Sequence, residues 1–419
     1  MRFAMVTTFY PPYHFGGDAI CVYRLSQALA EQGHEVEVFH SIDAYHLQHP
    51  GNPETDFEHH PRVVLHGLRT RQPGLAALLA HQLGRPGPYA AELFHRLSRG
   101  RYDVVHFHNV SLLGGPGVLR LGQGLKLYTA HEYWLVCPTH VLFRFGREAC
   151  TRRTCLACTL KAKRPPQVWR WLGWRDRCLR SIDTLLMPSR FALDRHRACG
   201  LQAPMEVLPH FVSRTDDEES ATVSSPRPYF LAVGRLERLK GFQDLIPLFA
   251  KPPLSDRAEL WIVGGGSWDS TLRRQAEGLC NIRFLGTVHP DELPKFYRGA
   301  VALVAPSLCY ETFGMAAAEA LAAGTPVVVR RHGALPELVE ASDGGSCFST
   351  ETECSNALIE LLDRPGLQRS LGANGRRAAR VHWSRRAHLE RYLGLIDRLQ
   401  HSKLGSETGQ RAEEPGRYG

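Results

Sequence analysis

Two glutamates eight positions apart frame the stretch with the most chemistry in it, CYETFGMAAAEALAAGTPVVV at residues 309–329. Glu311 stands in a loop behind an apolar run. Glu319 stands inside an alanine-rich segment, a strong helix former, that stops at Gly324. Paired carboxylates usually signal acid–base catalysis, but a helix starting between them changes the reading. Its N-terminus leaves the amides of Thr312, Phe313, Gly314 and Met315 unpaired, and those donors together with the macrodipole favour a pyrophosphate. Glu319 then lies roughly 8–10 Å along the helix at 1.5 Å per residue, about the span from a pyrophosphate back to a ribose. The two carboxylates read as hydroxyl-binding clamps at the sugar end and the ribose end of one nucleotide-sugar. The plainer alternative makes Glu311 a capping charge and Glu319 an exposed helix residue.

Two more loops suit a phosphate. VGRLERLKG puts Arg235 and Lys240 just past an apolar run, a guanidinium fork and a point charge for a diphosphate, or else two solvated cations. Gly16 and Gly17 follow the first apolar run and precede a helical pattern. They allow close approach of a phosphate, or simply make a tight turn.

These loops need a scaffold, and the pattern supplies one. Apolar runs RFAMVTTF, HEVEVFH, RVVLHGL, DVVHFHN, LKLYTAHE and DTLLMPS alternate with helical or loop segments. A polar, Ser-rich stretch at 212–228 interrupts them. The alternation then resumes with YFLAVGRL, ELWIVGGG, NIRFLGTV, AVALVAPS and TPVVVRR. The expected fold class is α/β, two doubly wound Rossmann-like domains facing each other across a cleft. The first spans 1–211, with a cysteine-rich insertion at about 137–165, and the second spans 229–380. An amphipathic helix at 381–400 precedes a disordered tail at 401–419. A chain of 419 residues fits two domains on length alone. No apolar run is long enough for a transmembrane helix and none resembles a signal peptide, so a cytoplasmic protein is expected.

Together these motifs resemble glycosyltransferase family 4, retaining transferases of the GT-B fold. The resemblance runs from FYPPYHFGGDAICVYRLSQALAEQGHEVEVF through VGRLERLKG and IVGGGS to the Glu-x7-Glu element with its Gly-x-Pro-Val-Val exit. It implies that Arg235 and Lys240 hold the donor diphosphate and that Glu311 meets sugar hydroxyls. Phe313 to Met315 would offer backbone amides, Glu319 would meet the ribose, and Gly16 and Gly17 would lie beside the donor phosphate. His131, in YTAHEYW, matches the family's His-Asp, whose histidine contacts the donor sugar. Here Glu132 replaces the aspartate. In RRHGALPELV, Gly333 and Glu337 match the family's Gly-Gly-x-x-Glu, but Ala334 replaces the second glycine. The family also implies a C-terminal helix that crosses back to the first domain, metal-independent catalysis, and a glycan or lipid-linked acceptor.

Eleven cysteines in a chain expected to be cytoplasmic do not suggest a disulfide framework. Four of them, Cys137, Cys150, Cys155 and Cys158, are spaced C-x12-C-x4-C-x2-C. They could supply thiolates to a structural zinc or an iron–sulfur cluster, pack as reduced thiols in a loop, or form a redox-sensitive pairing. The formal charge of +9 is concentrated. Residues 144–197 hold 14 Lys or Arg against four acidic residues, and the rest of the chain is near neutral. Within that region QVWRWLGWRDRCLRSI reads as a basic amphipathic helix, with Val168, Trp171, Leu172, Cys178, Leu179 and Ile182 on one face. Trp169 and Trp174 add aromatic surface. Such a helix suits an anionic membrane surface or a lipid-phosphate acceptor, or else packs on a core. A GT-B sugar phosphorylase or nucleotide-sugar epimerase is the alternative enzyme. A zinc-containing nucleic-acid-binding protein would use the basic region but leaves the donor loops unexplained, so no nucleic-acid partner is expected.

Overall fold

The computed structural model describes residues 1–49, 51–53, 57–212 and 222–412, with side chains through 403. Most of the polar stretch at 212–228, residues 213–221, lies outside them, as do residues 413–419 at the end of the chain.

Two parallel sheets form the frame. The N-terminal sheet contains β1 (Arg2–Val6), β2 (Glu35–Ser41), β3 (Val63–Leu68), β4 (Val104–Phe107) and β5 (Leu125–Thr129). A small antiparallel hairpin, β6 (Phe143–Arg144) with β7 (Glu148–Ala149), follows in sequence but stands apart. The sheet is completed by β8 (Thr184–Met187) and β9 (Met205–Val207), in the order β3-β2-β1-β4-β5-β8-β9. The C-terminal sheet contains β10 (Tyr229–Val233), β11 (Glu259–Val263), β12 (Ile282–Gly286), β13 (Leu303–Ala305), β14 (Val327–Arg330) and β15 (Gly345–Phe348). Its order is β12-β11-β10-β13-β14-β15. Every pairing in both sheets is parallel, for example Phe3 with Val36 and Val104, and Leu231 with Trp261 and Leu303. The uninterrupted apolar strands follow from that. Helices cover both faces, so neither face of the sheet can be polar.

The strand order reverses beside β1 in one domain and beside β10 in the other. Ligands of such sheets bind past the carboxyl ends at these switch points. Gly16–Gly17 follows β1, Gly234–Arg235 follows β10 and Glu311 follows β13.

The C-terminal helix differs from the expectation. It runs from Arg385 to Ala412, so the first part of the tail expected to be disordered is helical. Leu389, Tyr392, Leu395 and Ile396 enter the N-terminal core with Phe3, Met5 and Val38. Tyr392 Oη meets His106 Nδ1 at 2.8 Å inside that core. The basic segment also differs. Gly173 sits at φ +62° and breaks it into a short turn, Val168–Arg170, and a six-residue helix, Trp174–Leu179. Trp169 is buried and donates to the His81 carbonyl at 2.9 Å, and Trp174 donates to the Gly84 carbonyl at 3.0 Å. Cys178, Leu179 and Ile182 are buried, whereas Trp171 and Leu172 are 59% and 63% exposed. No single apolar face exists: Val168, Trp171 and Leu172 are left outward, while Cys178, Leu179 and Ile182 enter the core.

No described helix is long and apolar enough to cross a membrane.

Candidate functional site

The loops that follow β10 and β13 in the second domain converge. Lys240 Nζ and Ser307 Oγ each lie 2.6 Å from Glu311 Oε1. Burial pushes the Glu311 carboxyl up, but Lys240 and the two hydrogen bonds outweigh it and hold it below its ordinary range. Burial likewise pulls Lys240 down, and Glu311 more than restores it. Both groups therefore stay charged at neutral pH. Gly333 makes this packing possible, because a Cβ there would meet the Glu311 amide nitrogen at 2.6 Å. Replacement of the second glycine leaves the loop intact: Ala334 donates its N–H to the Glu311 carbonyl at 3.0 Å.

Met315–Ala322 is the expected helix, entered through Gly314 at φ +101°. Phe313 is buried in the domain core, so its contribution to a ligand is confined to the backbone. Glu319 is not the free helix residue of the plainer reading. It accepts from Tyr297 Oη at 3.1 Å and from Arg24, on the facing domain, at 3.0 Å. Sequence reasoning missed Tyr297, Ser307 and Arg24, since none belongs to a local motif. Arg235 is exposed at the end of β10, and no ion pair holds it among the described residues.

Across the cleft, Gly16 at φ +86° caps the helix Gly17–Glu31, and a Cβ at either glycine would meet only open space. Glycine at 16 is therefore set by backbone conformation and leaves room for a ligand. Beside it Asp18 accepts from Asn109 at 3.3 Å. Burial and the nearby Glu132 push its carboxyl up to about 6, against the backbone amide of Ala19, Asn109 and the positive charge of Arg235. His131 follows β5, with its Nε2 3.0 Å from His108 Nδ1, and burial lowers its pKa to about 4. The carboxylate of Glu132, which replaces the expected aspartate, turns to His140 Nδ1 at 2.8 Å.

Further contacts tie the domains together. Thr312 Oγ1 donates to the His131 carbonyl at 2.8 Å. Glu337 accepts the N–H groups of Arg190 and Phe191, the first residues of the helix Arg190–Ala198. Arg195 donates to Tyr310 Oη at 2.9 Å.

The four clustered cysteines share one neighbourhood with Cys199. Burial and those neighbouring thiols push Cys150 up to about 11, and Phe145 N–H donates to Cys158 Sγ at 3.4 Å. All eleven cysteines are free thiols. No three of the clustered sulfurs come within 4.8 Å of one another. Among the described residues, the group that meets that spacing is Cys21, His131 and His210.

Residues 15–215 match the family described as Glycosyltransferase Family 4, and residues 213–378 match Glycosyl transferases group 1. The D-inositol 3-phosphate glycosyltransferase of Xylanimonas cellulosilytica is 31% identical over 395 residues, covering 87% of this chain and 88% of that one. The MMP alpha-(1->4)-mannosyltransferase of Mycolicibacterium hassiacum is 27% identical, covering 90% and 93%. Among solved structures, the sucrose-phosphate synthase of Thermosynechococcus elongatus superposes with a TM-score of 0.72 at 21% identity, covering 96% and 99%. Anabaena HepE in complex with UDP and glucose superposes at 0.66 with 16% identity, covering 95% and 99%. With two parallel α/β domains, a cleft lined by these loops and matches along both halves, the chain belongs to glycosyltransferase family 4.

Proposed function

We propose that the protein is a retaining glycosyltransferase that moves a sugar from a nucleotide-sugar to an acceptor hydroxyl, in the assembly of a surface polysaccharide or glycolipid. The observation that carries this is the convergence of Lys240 and Ser307 on Glu311, at 2.6 Å each, beside the N-terminus of Met315–Ala322. Transfer breaks the anomeric C–O bond through an oxocarbenium-like state, and negative charge builds on the departing diphosphate. Lys240, Arg235 and the helix amides are the fixed positive groups that meet this charge. They supply that role without a metal. Glu311 accepts from sugar hydroxyls and Glu319 from ribose hydroxyls. The acceptor attacks from the leaving-group face, with a donor phosphate oxygen taking its proton.

Relatives support a nucleotide donor. A Corynebacterium glutamicum relative is named a GDP-mannose-dependent mannosyltransferase, and HepE was solved with UDP-glucose. A lipid-linked acceptor is supported by the outward Trp171 and Leu172, in a region that also exposes Lys161, Lys163, Arg164, Arg177 and Arg180. Tryptophan and leucine beside cations suit the interface of an anionic bilayer.

Product formed from an α-linked donor should keep the α configuration by NMR, and an inverted product would overturn the retaining assignment. Vesicles containing phosphatidylglycerol should sediment the protein, and Trp171→Ala/Leu172→Ala should abolish that. Equal sedimentation of the variant would remove the membrane role of this loop.

A further inference from the structure

Behind His131 the N-terminal domain encloses a cavity of ≈ 20 Å³, lined by five histidines (His106, His108, His131, His210 and His388) and by Cys21. It has room for a water or an ion and is far too small for a sugar. Two of the histidines are already engaged there. His106 meets Tyr392 Oη and Thr129 Oγ1, each at 2.8 Å, and His388 Nδ1 donates to the Pro209 carbonyl at 2.8 Å. His131 differs. Its Nε2 is 3.0 Å from His108 Nδ1, while its Nδ1 is buried without a hydrogen-bond partner among the described residues. One ligand atom from each of Cys21, His131 and His210 lies within 4.8 Å of the other two.

We propose that Cys21, His131 and His210 form a binding site for a zinc-class divalent cation, and that its occupancy inhibits transfer by immobilising His131. The inhibitory half rests on the transferase reading above; the binding half does not. One thiolate and two imidazoles suit zinc and its late first-row neighbours, and disfavour magnesium and calcium, which prefer oxygen ligands. Zinc–ligand bonds of about 2.0–2.3 Å put neighbouring donors roughly 3.5 Å apart, so a contraction of about 1 Å brings the three into place. His108 supplies the outer shell. With His131 Nε2–H donating its hydrogen bond to His108 Nδ1, the Nδ1 lone pair of His131 is left for the ion. Binding displaces the Cys21 proton to solvent as the Cys21 Sγ–metal bond forms.

The three ligands come from separate elements: the helix Gly17–Glu31, the end of β5, and the segment leaving the N-terminal domain. The donor loop is attached to them. Thr312 donates to the His131 carbonyl at 2.8 Å, and Phe313 packs edge-on to His210 with centroids 5.5 Å apart. An ion here therefore holds His131 in place and restrains the loop that grips the donor.

The test is a Co²⁺ titration of the full chain after chelator treatment, following the near-ultraviolet thiolate-to-cobalt charge-transfer band, with zinc inhibition assayed in parallel. Wild type and Cys155→Ser/Cys158→Ser should both show the band. Cys21→Ser and His210→Ala should each lose it, and nucleotide-induced thermal shifts would show that each variant is folded. Zinc at tenfold over protein should slow wild-type transfer at least tenfold and leave Cys21→Ser within twofold of its zinc-free rate. A band that survives Cys21→Ser, or disappears only with Cys155 and Cys158, overturns the site and assigns the ion to the cysteine insertion. A band that behaves as predicted while zinc slows both proteins equally overturns the inhibition alone. Absence of any transferase activity counts against the transferase reading, and the band still decides the site.

Discussion

The two walls of the cleft are built from different chemistry. The C-terminal wall carries full charges that neutralise one another at short range: Lys240 with Glu311 at 2.6 Å, and Glu319 with Arg24 from the opposite wall at 3.0 Å. The N-terminal wall behind His131 carries buried imidazoles and hydroxyls, with His106, His108, His131 and His210 all held uncharged by burial. Under the proposed function, the difference follows from what each wall would meet. A leaving diphosphate needs fixed positive charge, and a buried lysine stays ionised with a counter-charge such as Glu311 beside it. A sugar needs directional neutral donors and acceptors, and burial makes these strong without charge.

The sharpest break in this contrast is Lys240→Ala. It removes the cation and leaves the Glu311 carboxylate facing the diphosphate. Turnover should fall by about 10²–10³-fold, the loss typical of one transition-state donor. Lys240→Arg should recover part of it. Loss confined to KM, with kcat unchanged, would place Lys240 in ground-state binding only.

Glu319→Ala should act differently, raising the donor KM by about tenfold with kcat nearly unchanged, since two hydroxyl hydrogen bonds are lost far from the reacting bond. Arg24→Met probes the one charged contact between the walls at this point. Freed of Arg24, Glu319 should bind ribose more readily. Nucleotide Kd should fall roughly fivefold, the scale of an ion pair of ~1 kcal/mol, while the unliganded protein melts lower. A weaker nucleotide affinity would instead make Arg24 part of the donor site.

The smallest effect is expected at Asp18, the one carboxylate of the N-terminal wall raised to about 6. Its folded pKa lies above the unfolded one, so the folded state binds more protons between about pH 4 and pH 6. Asp18 therefore costs stability as pH rises through that window. The neighbouring Glu132 adds to the effect, and Asn109 and Arg235 oppose it. Asp18→Asn should raise Tm by about 2–4 °C at pH 7.5 and by nothing at pH 4. An increase equal at both pH values would show that titration is not its source.

What the sequence disclosed follows the same division. Strands, glycine loops and the helix between Glu311 and Glu319 were legible because each is specified locally, by period, by turn chemistry or by helix propensity. Tyr297, Ser307 and Arg24 were not, because their roles exist only when distant segments meet. The basic segment misled for a related reason. Its apolar spacing fits a helix, yet Gly173 in the left-handed region divides it and turns Trp171 away from Trp169 and Trp174. The histidine cavity was equally hidden, since Cys21, His131 and His210 lie far apart in sequence and share no motif. β9 and β15 escaped because they are edge strands, MEV and GSCF, with little buried apolar sequence to stand out.

The central claim is that the Glu311–Lys240 pair and Glu319 together hold a nucleotide-sugar. Its most direct test is a thermal-shift panel of UDP-, GDP-, ADP- and dTDP-sugars on wild type, Lys240→Ala and Glu319→Ala. One nucleotide class should raise the wild-type Tm, and the rise should be smaller in both variants. No rise with any donor in folded wild type, or a rise that both variants keep in full, would contradict the account.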